Sequence, residues 1–478
     1  MKRNKKIGIL CGILVCVSAA AFGVSRFEKQ KEIIKNSDAI VMEIHNEEVK
    51  VLSWECDTGS FAFHRDANGN WLYDEDEEFP VDEEKIRDLL GLFEEFGVSF
   101  IIEEVENFGQ YGLDTPVCTI RLETETDTYE ILLGDYSTMD SQRYVSIGDG
   151  RVYLVKIDPL DRFEIEIANV IRHDEIPELE NVTQIRLSGA ESEQIVYEEE
   201  SSATYLPEDV YFVKRDETLL PLDTSRVQEY LDVIGGLNLK DYVNYKVSEE
   251  ELADYGLDTP EWSVAIDYTK TEEDTEEETK ETFVLHIGRD PDEQEAEKAK
   301  PEATEDAEEN TEDTVEEVTA YARVGGSKII YQLTTEQYTK LKEMTYDSLR
   351  HQEMFWADFS DVYRLEILLE DKSYSITSKQ KDDERIYYYQ EEELEVEDIR
   401  SAIKGLKADS FTNQTPEQKE EISLTLYLDN ENFPEVHIQL YRYDGNDCIA
   451  VIDGKTVALV ERTRVVDLIE AVNQIVLK

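Results

Sequence analysis

At 478 residues, with 111 acidic against 48 basic side chains and a formal charge of −63, the chain has room for about three domains and is strongly acidic. That balance excludes nucleic-acid binding, because nothing supplies the cations that displace counterions from phosphates, and it argues against lying flat on an anionic membrane. With 40% hydrophobic residues, 26 Tyr and 16 Phe, the chain is equipped to bury substantial cores.

Four cations among Met1-Lys2-Arg3-Asn4-Lys5-Lys6 precede an uncharged apolar run, residues 7–24. As a helix this run would be roughly 27 Å long, close to the roughly 30 Å hydrocarbon core. Residues 1–28 therefore read as a cytoplasmic tip and a transmembrane signal-anchor, with the N-terminus in the cytoplasm and everything after Arg26 outside. A cleaved signal peptide is the alternative, since Ala19-Ala20-Ala21 offers a cleavage site. The length of the run and its continuation through Phe22, Gly23 and Val24 favour retention. Cys11 follows Leu10 and Cys16 follows Val15, not the small residue that precedes a lipid-modified cysteine. Both readings export the ectodomain. Residues 29–38 read as a short charged stalk.

Beyond the anchor the cysteines are Cys56, Cys118 and Cys448, odd in number and widely spaced. That pattern predicts no disulfide framework and no C-x-x-C pair, each cysteine being a small buried apolar residue on a strand.

The hexapeptide Tyr111-Gly112-Leu113-Asp114-Thr115-Pro116 recurs as Tyr255-Gly256-Leu257-Asp258-Thr259-Pro260, an offset of 255 − 111 = 144 residues. The flanks repeat with it. Upstream, Phe79-Pro80-Val81-Asp82 and Leu220-Pro221-Leu222-Asp223 each open a helical pattern, with Asp82 and Asp223 placed as N-caps. Ile86, Leu89, Leu90 and Phe93, and likewise Val227, Tyr230, Leu231 and Ile234, recur at spacings of 3, 4 and 7, so each copy has one amphipathic helix. Downstream come alternating strands, at residues 117–122 and 262–266, then strands ending at a glycine, YEILLG at 129–134 and FVLHIG at 283–288. Hairpins follow, turning at Gly148-Asp149-Gly150 and Gly325-Gly326.

A third copy lacks the hexapeptide but keeps the order, with IRSAIKGL, EISLTLYL, VHIQLYRY, a hairpin turning at Asp453-Gly454, and a closing helix TRVVDLIEAVNQIV. The fold class is thus α+β, an N-terminal transmembrane helix followed by tandem modules of mainly antiparallel β-sheet plus helix. The units fall at 39–175, 176–354 and 355–478. Unit two carries an acidic insertion at about 290–318, and an acidic patch occupies 271–281. Both patterns predict solvated, disordered loops.

The repeated YGLDTP after a helix, with the anchor and the hairpin FAFHRDANGNWLY, resembles the DUF4340 family of uncharacterised bacterial envelope proteins. The resemblance implies a single-pass extracytoplasmic protein, of a kind encoded beside ABC transporter components of the gliding-motility type. It supplies no catalytic residue.

Every hexapeptide residue has a role in a bend. Gly permits positive φ, Asp can accept from nearby amides, Pro fixes its own φ, and Tyr and Leu reach the core. A ligand site there would set Tyr111 and Asp114, or Tyr255 and Asp258, at its rim. Residues 66–70 (DANGN) resemble a calcium loop, but Trp71 stands where the loop needs Gly, and Asn68-Gly69 signals a type I′ hairpin turn. His45, His64, His173, His286, His351 and His437 are scattered without zinc-site spacing, and G-x-S-x-G and P-loop motifs are absent. The expectation is a non-enzymatic accessory or binding protein at the outer face of the membrane, working with transporter subunits, with no catalytic residue, metal or cofactor. The alternatives are an envelope polysaccharide or peptidoglycan hydrolase using paired carboxylates near Trp54, Trp71 or Trp262, and a structural spacer or adhesion stalk.

Overall fold

The computed structural model describes residues 39–103, 105–189, 192–271, 278–299, 317–381 and 384–476. The transmembrane anchor and the stalk expected before residue 39 lie outside the described residues, as does most of the acidic insertion. Among the described residues, no helix is long and apolar enough to cross a membrane.

The fold is α+β, three nine-stranded sheets in which every strand pairing is antiparallel, with helices between and after the strands. The first sheet holds β1 (Ala39–Met42), β2 (Val51–Cys56), β3 (Gly59–Arg65), β4 (Trp71–Tyr73), β5 (Phe96–Ile102), β6 (Cys118–Glu123), β7 (Thr128–Ser137), β8 (Gln142–Ser146) and β9 (Val152–Val155). Its order is β1-β5-β9-β8-β7-β6-β2-β3-β4.

The second holds β10 (Val182–Ser188), β11 (Glu193–Tyr197), β12 (Tyr211–Arg215), β13 (Thr218–Pro221), β14 (Tyr242–Asn244), β15 (Trp262–Thr271), β16 (Glu278–Arg289), β17 (Ala320–Val324) and β18 (Ile330–Leu333). The third holds β19 (Val362–Leu369), β20 (Lys372–Lys381), β21 (Glu384–Tyr389), β22 (Glu392–Leu394), β23 (Ala408–Phe411), β24 (Glu420–Leu428), β25 (Glu435–Arg442), β26 (Asp447–Ile452) and β27 (Lys455–Glu461). Their orders, β13-β12-β11-β10-β15-β16-β17-β18-β14 and β22-β21-β20-β19-β24-β25-β26-β27-β23, are the same when strands are counted within each sheet. The first sheet differs in its added edge strand β1 and in ending at β4. The third copy, which lacks the hexapeptide, therefore has the full topology of the second.

Each sheet buries a helix that follows its fourth strand and precedes its fifth in chain order. In the first, Glu83–Leu90 continues into a 3₁₀ turn, Gly91–Phe93, and buries Ile86, Leu89, Leu90 and Phe93. In the second, Thr224–Gly235 buries Val227, Tyr230, Leu231 and Ile234. In the third, Glu397–Lys404 and the closing helix Arg462–Val476 share a core with Leu365, Leu424 and Ile438. The Asp82 carboxylate accepts from the amides of Glu84 and Lys85, satisfying two donors that the helix leaves unpaired. Asp82→Ala is expected to cost about 1 kcal/mol, read from the chemical unfolding curve of the first sheet.

By compactness the described residues form two bodies that divide between His173 and Asp174. The second and third sheets belong to one body, because Tyr205, from the loop before β12, sits in the core of the third sheet. Its ring lies 4.8 Å from Trp356 and 4.4 Å from Phe433.

Four sequence expectations change. First, Cys56 and Cys118 form a disulfide, since the β2–β6 register sets them directly opposite with Cα atoms 4.3 Å apart. Their separation of 62 residues hides a pairing that only the register creates. Among the described residues Cys448 alone is free, and burial pushes its thiol up to about 12.

Second, the loop at 66–70 is no type I′ turn, because of its residues only Gly69 takes positive φ. The Asp66 carboxylate organises the loop instead, accepting from the amides of Asn68 and Asn70 at 2.8 Å each. The Asn70 amide is the main reason this carboxyl is held below the usual range.

Third, the acidic patch at 271–281 is partly strand, with β15 and β16 running on to pair Thr271 with Glu278.

Fourth, the insertion begins as a helix, Pro291–Ala299, because Asp290 accepts from the amides of Asp292 and Glu293 and a proline opens the first turn. Glu293 then accepts from both the amide and the hydroxyl of Thr319. Asp290 N–H also donates to Thr319 O, so the two ends of the insertion are clipped together at a hairpin neck.

Candidate functional site at the repeated bends

Both hexapeptides end a 3₁₀ turn and enter a strand. The turn Phe108–Tyr111 hands over to Gly112 at φ 71°, and Glu251–Tyr255 to Gly256 at φ 64°, a left-handed geometry that favours glycine. Leu113 N–H donates to Phe108 O and Leu257 N–H to Leu252 O, closing each bend, and both leucines are buried. Tyr111 packs on Tyr144 of β8 with ring centroids 4.9 Å apart, and Tyr255 on Tyr321 of β17 at 5.1 Å. Asp258 accepts from the Thr259 hydroxyl at 3.4 Å. Pro116 and Pro260 lie in the short links to β6 and β15.

A second glycine completes each bend. A Cβ on Gly134 of β7 would lie 2.1 Å from Tyr111 O, and one on Gly288 of β16 would lie 2.5 Å from both Tyr255 O and Gly256 O. The bend backbone rests directly on the strand. Arg143, buried, donates to Gly134 O at 2.7 Å and pairs with Asp158 at 2.8 Å, fixing that stretch of β7 in the first copy.

The third sheet shows what these residues are for. In the second sheet Trp262 faces Ile287, and the following Gly288 faces Tyr321. In the third, Glu420 faces Tyr441, and the following Arg442 faces Cys448. Where the bend is lost, its strand glycine and its aromatic partner are lost with it. Gly134, Gly288, Tyr144 and Tyr321 were visible in the sequence as parts of strands, but nothing local showed what they touch.

At the second bend, Gly256, Asp258 and Thr259 rim an open cleft of about 540 Å³ together with Glu261, Arg289 and Glu297. Arg289 makes two hydrogen bonds to Glu297 of the insertion helix, at 2.7 and 3.0 Å. The hydrogen bond to Glu297 is the main cause that raises its pKa. The cation in this cleft is thus already engaged by a carboxylate of the same chain.

Three further polar groups bear on chemistry. Thr204 donates to Asp209 at 2.5 Å, and His351 Nε2 lies 3.0 Å from both Asp209 oxygens, stacked on Trp356 at 5.0 Å. Here the carboxylate stands between hydroxyl and imidazole, so the histidine cannot take the hydroxyl proton as a general base must. The group fastens the second sheet to the segment leading into the third.

Ser263 Oγ is 2.8 Å from His286 Nδ1, with Arg323 next in the same cross-strand row. Burial, then the charge of Arg323, lowers the His286 pKa and favours neutral imidazole. The pair lies near the start of β15 and the end of β16, on the sheet face turned away from the core residues Val264 and Leu285.

Asp409, Asp447, Glu461 and Asp467 line an open cleft of about 540 Å³. Burial, then Asp444, Asp409 and Glu461, raise the Asp447 pKa. Trp54 and Trp71 are core residues, Trp262 packs 6.3 Å from Tyr230, and none of the three is among the residues lining this cleft. Among the described residues, no group of His, Cys, Asp and Glu has metal-binding geometry.

The family model described as a domain of unknown function, DUF4340, matches residues 71–260 and again 215–425. The chain belongs to the DUF4340 family. The two DUF4340 matches begin 144 residues apart (215 − 71), the offset of the two hexapeptides. Each match starts near the third or fourth strand of one sheet, runs through that sheet's helix and bend, and ends in the next sheet. The second DUF4340 match ends within β24, so the family pattern extends into the copy that lacks the hexapeptide. No curated protein and no solved structure matches the chain.

Proposed function

We propose that this DUF4340 protein is a non-enzymatic accessory or binding protein of the cell envelope. In this reading it is held by residues 7–24 with its N-terminus in the cytoplasm, and its sheets work outside beside the subunits of a membrane transporter. The observation that carries the reading is the Cys56–Cys118 disulfide in a chain led by cations and an apolar run of membrane length. Disulfides persist in oxidising compartments outside the cytoplasm. The bends support it too, since their residues are spent on packing backbone against strand. The test is deletion of residues 39–478 from the chromosomal gene, with assembly and flux of the transporter encoded beside it as readout. Loss of either is the expected result, and unchanged assembly and flux would overturn the proposal.

A second reading, envelope-polymer hydrolysis by paired carboxylates, draws on the acidic cleft and the raised Asp447. Cleavage of envelope glycan by the purified chain, lost in Asp447→Asn, would put that reading first.

A further inference from the structure

We infer that the outward face of the third sheet is a glycan-binding surface, taking an extended, uncharged β-1,4-linked polysaccharide. The inference rests on the proposed export of the chain, which places this sheet among the polymers of the envelope.

The first and sixth strands of the second and third sheets correspond by register. Val182 faces Tyr268 and, past a bulge, Gln184 faces Asp267 and Ser188 faces Ser263. Val362 faces Leu428 and, past the same bulge, Arg364 faces Tyr427 and Leu368 faces Ser423. Tyr363, Leu368 and Tyr427 therefore stand where the second sheet has Thr183, Ser188 and Asp267. There the Asp267 carboxylate accepts from Arg186 and Thr282. The first sheet also spends this face on an ion pair, Arg121 with Glu130. In the third sheet the same positions hold two exposed apolar side chains, Tyr363 at 39% and Leu368 at 42%.

Register and contacts gather these residues into one surface. Leu365, Ile367, Leu424 and Leu426 point into the core, so the residues that alternate with them point out. The Tyr363 ring lies 6.1 Å from that of Tyr427, whose hydroxyl donates to Glu366 at 3.1 Å. The Arg364 guanidinium lies 5.1 Å from the Tyr427 ring centroid and pairs with Glu366. On the neighbouring strand β20, exposed Ser373, Ser375 and Thr377 face Leu368, Glu366 and Arg364. Charge and composition say what this surface takes. Arg364 and Glu366 cancel, as do Lys379 and Glu435 at the margins, so the face is neutral in a chain of −63. A neutral face has no excess charge with which to hold an ionic ligand. Two exposed apolar side chains among hydroxyls are too few for the apolar centre of a stable protein interface. Rings for stacking, a paired guanidinium and carboxylate, and a row of hydroxyls match a pyranose, which has apolar C–H faces and hydroxyl edges. Neighbouring strands lie about 4.8 Å apart, close to the length of one pyranose unit in an extended glycan, so successive sugars meet successive strands.

The test is native affinity electrophoresis of the full chain in detergent, through gels holding glycol chitin or hydroxyethylcellulose, both soluble, uncharged β-1,4-linked polymers. At least one should retard the wild-type chain. Tyr363→Thr with Leu368→Ser gives the third sheet the second sheet's residues at two exposed positions, so the fold should persist. This pair should weaken retardation about five-fold or more, as loss of a stacking contact does. Thr183→Ala with Ser188→Ala, the matched change on the second sheet, should leave retardation unchanged. Retardation unaffected by the third-sheet pair, or weakened equally by the second-sheet pair, overturns the inference. Wild-type chain that neither polymer retards also overturns it and leaves the accessory reading standing, since transporter assembly tests that separately. In cells, p-benzoylphenylalanine in place of Tyr363 that cross-links to a protein and not to glycan assigns the face to a protein partner, which overturns the inference as well.

Discussion

Gly288→Ala is expected to cost the body formed by residues 174–478 about 3 kcal/mol, and Gly134→Ala to cost the first body a similar amount. Each added methyl would meet a carbonyl oxygen of the bend, 2.1 Å away at Gly134 and 2.5 Å away at Gly288. These neighbours are backbone and cannot swing aside as a side-chain end does. Relief would require lifting the bend from the strand, which exposes the buried Leu113 or Leu257. Gly326→Ala is the matched control, since its Cβ meets nothing within 4 Å, and it should change stability by less than about 0.5 kcal/mol. Chemical unfolding, with a separate reporter for each body, distinguishes these outcomes. A small effect at both strand glycines would mean that the bend does not rest on the strand.

Paired replacement of Cys56 and Cys118 by serine should destabilise the first body by about 2–4 kcal/mol, the range for a cross-link closing a loop of this size. Reductant should lower the wild-type transition by a similar amount and leave the doubly substituted chain unmoved. The body of residues 174–478 should be unaffected in both experiments, because its cysteine, Cys448, is buried and unpaired.

What could be read from sequence follows the range of the interaction. The N-caps Asp82 and Asp223, the buried helix faces and the turn at Asp453-Gly454 depend on a few neighbouring residues. Asp453 and Gly454 both take positive φ, as that turn requires. The third copy was legible because its order of elements survives without the hexapeptide. The disulfide was not, because it exists only once the free edge of the β6–β7 hairpin pairs with β2, a strand that lies far back in the sequence. The contact between bend and strand was hidden for the same reason, although both glycines stood in the motifs.

The insertion misled differently. Its composition is that of a solvated loop, yet Asp290, Glu293 and Arg289 anchor its first turns through contacts to Thr319 and Glu297. Composition indicates whether a segment can form a core of its own, but not whether a neighbouring sheet lends it partners.

The register of the first sheet and the proposed export of the chain meet in one bond, Cys56–Cys118. Cells expressing the full chain would be quenched in acid, alkylated under denaturing conditions without reductant, and the membrane fraction digested and mapped by mass. The expected result is the peptides of Cys56 and Cys118 joined to each other, with Cys448 alkylated once unfolding exposes it. Recovery of Cys56 and Cys118 as separate alkylated peptides from that fraction would contradict it.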